Sequence, residues 1–483
     1  MRLVIALLLC IWMFGPMPST LEAAQATQPD FNAIDAYIES EMQANRVPGV
    51  ALAIVRSNQI MYMRGFGTTG AGEAVTPQSA FILGSMSKSF TALAAMQQVE
   101  QGRLALNAPV QRYLPWFRVA DPAASARITV QQLLNHTSGI PTRAPHASSE
   151  LRDIDAHVRA LATVELAHEP GSAYAYSSPN YLVVAAIVQQ ITGQPYAAYV
   201  QQYIFTPLAM RHSFTAQDAA MQSTMVRGHR YLFGFPFPAV LPYEADRMPT
   251  AALISSAEDL GHYLIAQLNA GRYADQAILS PSGMTQLHQP TTTAENDDLS
   301  YAMGWRAGTI GGVPAVHHGG VVSHFSGKMV LLPEQGWGVV LLTNASTLLP
   351  LPLTSHRMAD TVAAALVGTA LPDPVGLLPW VSLGVGIGIA ALTFDQIKGL
   401  FRLNRWRAQL PQRALRPLVI ELVIRLALPV GVLIGLPALL DIPLQEIVRA
   451  MPDIGYWLIA STVVGILSGL WKCMVAYTAL RAR

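Results

Sequence analysis

Cysteine is nearly absent: of 483 residues only Cys10 and Cys473 are cysteines, each in an apolar stretch near one end of the chain. A disulfide framework and a thiolate metal site are therefore excluded, and the scarcity is compatible with an oxidising compartment. Charge is also scarce, at 13% of residues, and it balances to a net +1. No basic run stands outside the last quarter of the chain, which argues against nucleic acid as a partner. Against these absences stands an apolar fraction of 51%, more than an ordinary soluble domain carries. Part of the chain is expected to meet lipid.

The two ends carry that expectation. Met1-Arg2 precedes an apolar run over residues 3–14, and Ala24-Gln25-Ala26 offers a small-x-small cleavage site, so residues 1–26 read as an export signal. An uncleaved anchor is the alternative reading, for which the run is short. Lipoprotein processing at Cys10 fits less well, because Leu9 stands where a small residue is needed. Near the other end, residues 375–394, 418–440 and 454–471 are each long and apolar enough to cross a bilayer. The segment 398–416 between the first two carries Lys398, Arg402, Arg405, Arg407, Arg413 and Arg416 with no acid, and Lys472, Arg481 and Arg483 follow the third. The positive-inside rule then predicts the inner (cytoplasmic) membrane, with Asp373 on the periplasmic side and the C-terminus cytoplasmic. Glu421 and Arg425, at i,i+4 spacing in the second span, can pair with each other or serve substrate passage or a partner.

Between the ends, residues 27–370 predict an α/β (α+β) domain. Helical spacing over 31–45 gives way to strands at 50–55 and 59–65 around the turn pair Ser57-Asn58. Residues 148–269 read mainly as helix with Pro-rich loops such as 233–238. Short strands return at 301–305, 328–332 and 337–342, the last two joined by Pro333-Glu334-Gln335-Gly336, and a helix over 355–367 closes the domain. This order predicts one antiparallel β-sheet built from both ends, flanked by helices, with an inserted all-helical lobe.

Chemistry enters at Gly84-Ser85-Met86-Ser87-Lys88, where a hydroxyl and an amine stand one helical turn apart. A desolvated lysine can take the proton of a serine and make it a nucleophile, which is the S-x-x-K arrangement. The spacing also arises by chance on solvated helix faces, so it needs company. Tyr176, in Tyr174-Ala175-Tyr176-Ser177-Ser178 ahead of a helix, can relay a proton. In His317-His318-Gly319-Gly320-Val321, glycines on a strand would let a substrate backbone approach and offer N–H groups to an oxyanion. Paired histidines can also mean metal, but no further ligands stand at ligand spacing nearby, and no metal or cofactor is expected.

Together with Leu134-Asn135-His136-Thr137-Ser138-Gly139-Ile140-Pro141 and Pro207-Leu208-Ala209-Met210, these segments follow one order and cover nearly all of residues 31–369. In that order the chain resembles the serine hydrolases that include class C β-lactamases, D-alanyl-D-alanine carboxypeptidases and related esterases and D-aminopeptidases. The resemblance implies Ser85 as nucleophile, with Lys88 and Tyr176 as coupled base and acid. It implies Ser178 and His318-Gly319-Gly320 as substrate-binding elements, and the N–H groups of Ser85 and Val321 as oxyanion donors. His318 rather than His317 keeps the family's spacing to Phe325. Ser178 stands where the family's Y-x-N element has asparagine, and Asn180 is a possible substitute. The layout of signal, hydrolase and three C-terminal spans is similar to that of the colibactin-maturation group of prodrug-activating peptidases, which remove an acyl-D-asparagine cap. That group has an acidic residue where this chain has Ile82. The expected substrate is a small peptide or amide containing a D-residue, with ester or β-lactam hydrolysis open to the same machinery. A non-catalytic ligand sensor or transport-linked membrane protein is the rival from another class.

Overall fold

The computed structural model describes residues 29–142, 153–240, 244–293, 300–346, 354–410, 415–440 and 442–481. The signal-peptide reading over 1–26, with Cys10, lies outside the described residues, as do Arg413 and Arg483.

The chain opens on helix α1 (Phe31–Asn45), which Asp30 caps by accepting from the Ala33 N–H at 3.0 Å. Strands β1 (Gly49–Arg56) and β2 (Gln59–Gly67) form a hairpin whose turn holds Ser57 in the left-handed region, at φ +53°. After β3 (Ala80–Ile82) comes α2 (Ser87–Glu100), and then the helical lobe, whose principal helix is α3 (Ser178–Thr192). Within the lobe, β4 (Gly228–Leu232) pairs with β5 (Phe235–Ala239). The segment over 233–238, expected to be a loop, is thus the tip and most of the second strand of a hairpin. Pro236 and Pro238 are tolerated because β5 pairs on one side only, with β4. Strand β6 (Ile254–Ser256) returns to pair with β3 and leads into α4 (Ala257–Leu268).

After the short pair β7 (Arg272–Tyr273) and β8 (Gln276–Ala277) follow β9 (Thr292–Thr293), β10 (Ser300–Tyr301), β11 (Arg306–Ile310), β12 (Val313–Val322), β13 (Phe325–Leu332) and β14 (Trp337–Thr343). Among the described residues these build an eight-stranded sheet in the order β2-β1-β14-β13-β12-β11-β10-β9, antiparallel throughout. The strand expected over 301–305 is shorter, because the chain turns at Ala302–Trp305 with Gly304 at φ +73°.

Alternation along each strand divides the core. Val50, Leu52 and Ile54 of β1 face α1 and the closing helix α5 (Thr354–Ala365), with Val339 and Leu341 of β14 beside them. Ala51, Ala53 and Val55 face α2, α4 and the lobe, with Val340 and Leu342. Both faces are covered, so the central strands are buried on both sides: every residue of β13 is buried, Ser326 and Lys328 included.

Beyond Gly368 the chain forms α6 (Leu377–Phe401), α7 (Leu403–Gln409), α8 (Leu415–Leu440), α9 (Leu444–Ala450) and α10 (Pro452–Arg481). Three stretches, 377–399, 415–439 and 452–479, are long and apolar enough to cross a membrane. Gln396 donates to Ser461 Oγ at 2.7 Å, and the Trp457 indole donates to Thr393 Oγ1 at 2.9 Å, tying α6 to α10. Arg425 donates to Glu421 at 3.1 Å, and Lys472 Nζ lies 3.9 Å from the same carboxylate. The pairing of Glu421 with Arg425 is therefore present, with Lys472 as a second cation beside it.

One carboxylate joins these parts. Glu41 of α1 is fully buried and accepts from both terminal nitrogens of Arg357 in α5 and, at 3.2 Å, from the Val375 N–H just ahead of α6. A buried charge that loses its partner is costly. Arg357→Ala is expected to destabilise the protein by about 3 kcal/mol, read as a lowered thermal midpoint in detergent, whereas replacing both Glu41 and Arg357 with apolar residues costs less.

Candidate active site

Ser85 lies in the turn Gly84–Met86 between β3 and α2. Gly84 has φ +57°, and a Cβ on it would stand 2.4 Å from the Val321 nitrogen of β12. From the other side, a Cβ on Gly320 would stand 1.9 Å from the Leu83 carbonyl oxygen. Turn and strand therefore touch backbone to backbone, and only glycine permits it at either position. Strand β11 pairs with Val313–His317 alone, so from His318 onward this edge of β12 faces the Ser85 turn instead of another strand.

Lys88, in the first turn of α2, is fully buried and donates to the Thr250 carbonyl at 2.9 Å and to Ser85 Oγ at 3.2 Å. Thr250 is held there by two anchors on α2: Thr91 donates to Pro249 O at 2.7 Å, and Ser87 Oγ accepts from the Leu253 N–H at 3.2 Å. Burial holds the Lys88 ammonium well below the ordinary lysine range, helped by the cations Arg247 and Arg306. A neutral amine can donate to Thr250 and turn its lone pair to the serine hydroxyl, the state a general base requires.

Tyr176 completes the cluster. The Lys88 nitrogen lies 5.0 Å from its ring centroid. Its hydroxyl is buried and makes no hydrogen bond of ordinary geometry among the described residues, but it lies close enough to Ser85 to feel it. Burial pushes this hydroxyl up to about 12, with Ser85 and then Arg306 acting the other way. It can therefore give a proton without resting as an anion.

The Tyr176 loop is shaped by a residue the sequence reading left without a role. His136, at φ +60°, accepts the Ser177 N–H on Nδ1 at 3.1 Å, and its carbonyl accepts the Ala175 N–H at 2.9 Å. Its ring lies 4.4 Å from the Tyr176 ring and 4.7 Å from that of Tyr301. Burial, with Lys88 and His318 nearby, keeps His136 neutral, well below the usual histidine range. Asn180 is fully buried and committed: its Oδ1 accepts from Ser138 at 2.7 Å and its Nδ2 lies 3.3 Å from His136. It is turned inward and does not replace the asparagine for which Ser178 stands. Ser178 itself is half-buried at the N-terminus of α3.

Alternation separates the two histidines of β12. His318 and Gly320 share the face toward the Ser85 turn, and His318 Nε2 lies 3.2 Å from the Tyr301 hydroxyl. His317 and Gly319 point to the opposite face, where Gly319 lies against His356. The pair cannot act as one ligand set. Arg306, at the start of β11, places its guanidinium 5.8 Å from the Tyr176 ring centroid, and no described carboxylate pairs with it. Tyr301 and Arg306 are thus additions to the predicted set, and a lone arginine after a tryptophan gave no signal in the sequence.

A polar cluster of this kind, at the seam of a helical lobe and an antiparallel sheet, invites comparison with known proteins. The model of the family described as "Beta-lactamase" matches residues 34–363. The chain belongs to that family. Family relatives include protein flp of Staphylococcus aureus (strain MW2), 29% identical over 69% of this chain and 68% of its own. Penicillin-binding protein 4 of Amycolatopsis lactamdurans is 30% identical over 62% of this chain and 81% of its own. Among solved structures, the octameric penicillin-binding protein homologue from Pyrococcus abyssi matches with a TM-score of 0.63 over 72% of this chain and 80% of that one, at 24% identity, a likeness of fold. The β-lactamase and penicillin-binding-protein-like serine hydrolases are therefore this chain's family, and its fold is theirs.

The seam makes a direct test. Gly320→Ala places a methyl against the Leu83 carbonyl, which is backbone and cannot swing aside. The expected outcome is a loss of labelling by a fluorophosphonate of at least about 100-fold, as for a misplaced reacting group, with far-ultraviolet circular dichroism retained.

Proposed function

We propose that this protein is a membrane-anchored serine hydrolase that cleaves an amide through an acyl-enzyme on Ser85, acting on small D-amino-acid-containing peptides. The observation that carries the proposal is the buried, proton-poor Lys88 set 3.2 Å from Ser85 Oγ, with the Tyr176 hydroxyl near Ser85 and its ring 5.0 Å from the Lys88 nitrogen.

Ser85 Oγ attacks the substrate carbonyl carbon as its proton passes to Lys88. The oxyanion takes hydrogen bonds from the N–H groups of Ser85 and Val321, on the two sides of the glycine seam. Tyr176 passes a proton to the leaving amine, and the C–N bond breaks to leave the acyl group on Ser85. Water then attacks the ester, gives its proton back through the same pair, and frees the acid and the serine. Ser178, His318 and the edge of Gly320 line the path of the substrate backbone. Arg306, unpaired among the described residues, supports an anionic group on the substrate near Tyr176.

The three apolar helices support anchoring. The basic residues between the first two and after the third support a periplasmic hydrolase and a cytoplasmic C-terminus.

Three outcomes follow. Mass spectrometry after fluorophosphonate treatment should place one adduct on Ser85, and Ser85→Ala or Lys88→Ala should abolish turnover with the thermal midpoint nearly unchanged. An adduct elsewhere in a folded sample would falsify the nucleophile. Because Lys88 acts as the unprotonated amine and its pKa is depressed, the acylation rate should fall as pH drops through that pKa, well below the pH at which an ordinary lysine would lose the activity, an acid limb absent from substrate binding. Arg306→Gln should raise KM about 10-fold for peptides with a free carboxylate, the loss of one charge-assisted contact, and leave KM for a neutral ester unchanged. A panel of D-peptides, esters and β-lactams read by kcat/KM ranks the substrate classes.

A further inference from the structure

Away from the cleft, the surface carries one uncharged aromatic feature that the hydrolytic reading does not use. The hairpin of β4 and β5 exposes Phe233 (59%), Phe235 (54%), Phe237 (46%) and, just beyond it, Val240 (67%). From Tyr231 to Val240 there is no acid or basic side chain. A cluster of this size is not left to water without a reason.

Its neighbours supply the reason. The Phe233 N–H donates to Asp453 Oδ2, in the first turn of α10, at 2.7 Å. Gly234, at φ +76°, lies against α6 so closely that a Cβ would stand 2.7 Å from the Ser382 Cβ. Ser382 is five residues past Leu377, the start of the 23-residue apolar stretch of α6. At 1.5 Å per residue that is roughly 7 Å along a stretch of roughly 34 Å, against a hydrocarbon core of about 30 Å. The hairpin tip therefore lies roughly 5 Å inside the apolar slab, the depth typical of interfacial elements. From the tip a crevice lined by Phe233, Val385, Gly386, Ile389 and Ile454 runs on down α6. On the opposite face of the same helix Trp380, Leu383 and Ile387 are exposed. One cation stands where headgroups would be: Arg46 donates to the Gly234 carbonyl at 3.0 Å and stacks over Phe235 at 4.1 Å.

We propose that this hairpin is immersed in the bilayer, with acyl chains of membrane lipid covering Phe233, Phe235 and Phe237. The hydrolase is then seated on the membrane at a second point besides its helices. A protein occupant would itself have to be embedded in the membrane, because the tip packs on α6 within its apolar stretch. The base of the hairpin abuts the site: a Cβ on Gly228 would meet the His324 Cβ at 2.5 Å and the Phe325 ring at 2.8 Å, at the turn ending β12. Five strand residues span roughly 16 Å, so the end of the strand that faces Ser85 is held at that height above the tip. The proposal rests on the reading of α6, α8 and α10 as membrane spans, and its test separates the two.

The full-length chain carrying Cys10→Ser and Cys473→Ser receives a single new cysteine, by Phe235→Cys, by Phe237→Cys, or by Leu392→Cys on α6 as the span control, labelled with the fluorophore NBD. Each protein is reconstituted in phosphatidylcholine vesicles with or without 6,7-dibromo phosphatidylcholine, and fluorophosphonate labelling of Ser85 checks its fold. The expected result is blue-shifted emission at 235 and 237 that brominated lipid lowers roughly twofold, as for a probe at acyl-chain depth, and that aqueous iodide leaves unchanged. Quenching by iodide and not by brominated lipid at 235 and 237, with position 392 quenched by lipid, overturns the hairpin proposal alone. Blue-shifted emission at 235 and 237 that neither agent quenches overturns it in favour of a second protein copy. Failure of lipid to quench position 392 overturns the membrane reading and the proposal with it.

Discussion

Everything at the candidate site depends on two backbones meeting without side chains between them. Gly84 and Gly320 face each other across the turn and the edge of β12, and this brings the backbone at Ser85 and Val321 together. Lys88 can then stay buried and proton-poor, because the same close packing excludes water and leaves it the Thr250 carbonyl and the Ser85 hydroxyl as partners. The contact is steric first and electrostatic second: the seam creates a dry place, and the dry place changes what an amine does.

Much of this architecture was legible in the sequence. Ser85 and Lys88 could be paired from spacing alone, because one helical turn fixes their relation without help from distant chain. Short runs bounded by turn residues located β1, β2, β13 and β14, and unbroken apolarity located the long C-terminal helices. His318 could be preferred to His317 from its distance to Phe325, and the structure gives the physical difference, which is the face of β12 each occupies. What could not be read depends on contacts between remote segments. His136, Tyr176 and Tyr301 come from three separate stretches, and nothing local marks them as one cluster. Pro236 and Pro238 argued against a strand, and only the one-sided pairing of β5 explains their place. Ile82, which stands where the similar peptidases have an acidic residue, is buried at 3% exposure in the β3–β6 pairing and belongs to the core.

The departures from the family pattern also gain a physical sense. Asparagine at position 178 would bring an amide to the start of α3, whereas this chain has a hydroxyl there and spends the amide of Asn180 on holding His136. On the proposed function, recognition moves away from that corner and toward β11, where Arg306 faces the tyrosine cluster. A charge in that position selects by sign, and a side-chain amide selects by hydrogen-bond pattern; the two discriminate among peptides differently.

Glu41 has a mechanical consequence. Because one carboxylate holds α1, α5 and the backbone at Val375 together, the short stretch after Gly368 is no free tether. The globular part cannot swivel about it, so the cleft keeps one bearing relative to the helix axes, and a ligand meets it only along the approaches which that fixed heading leaves open.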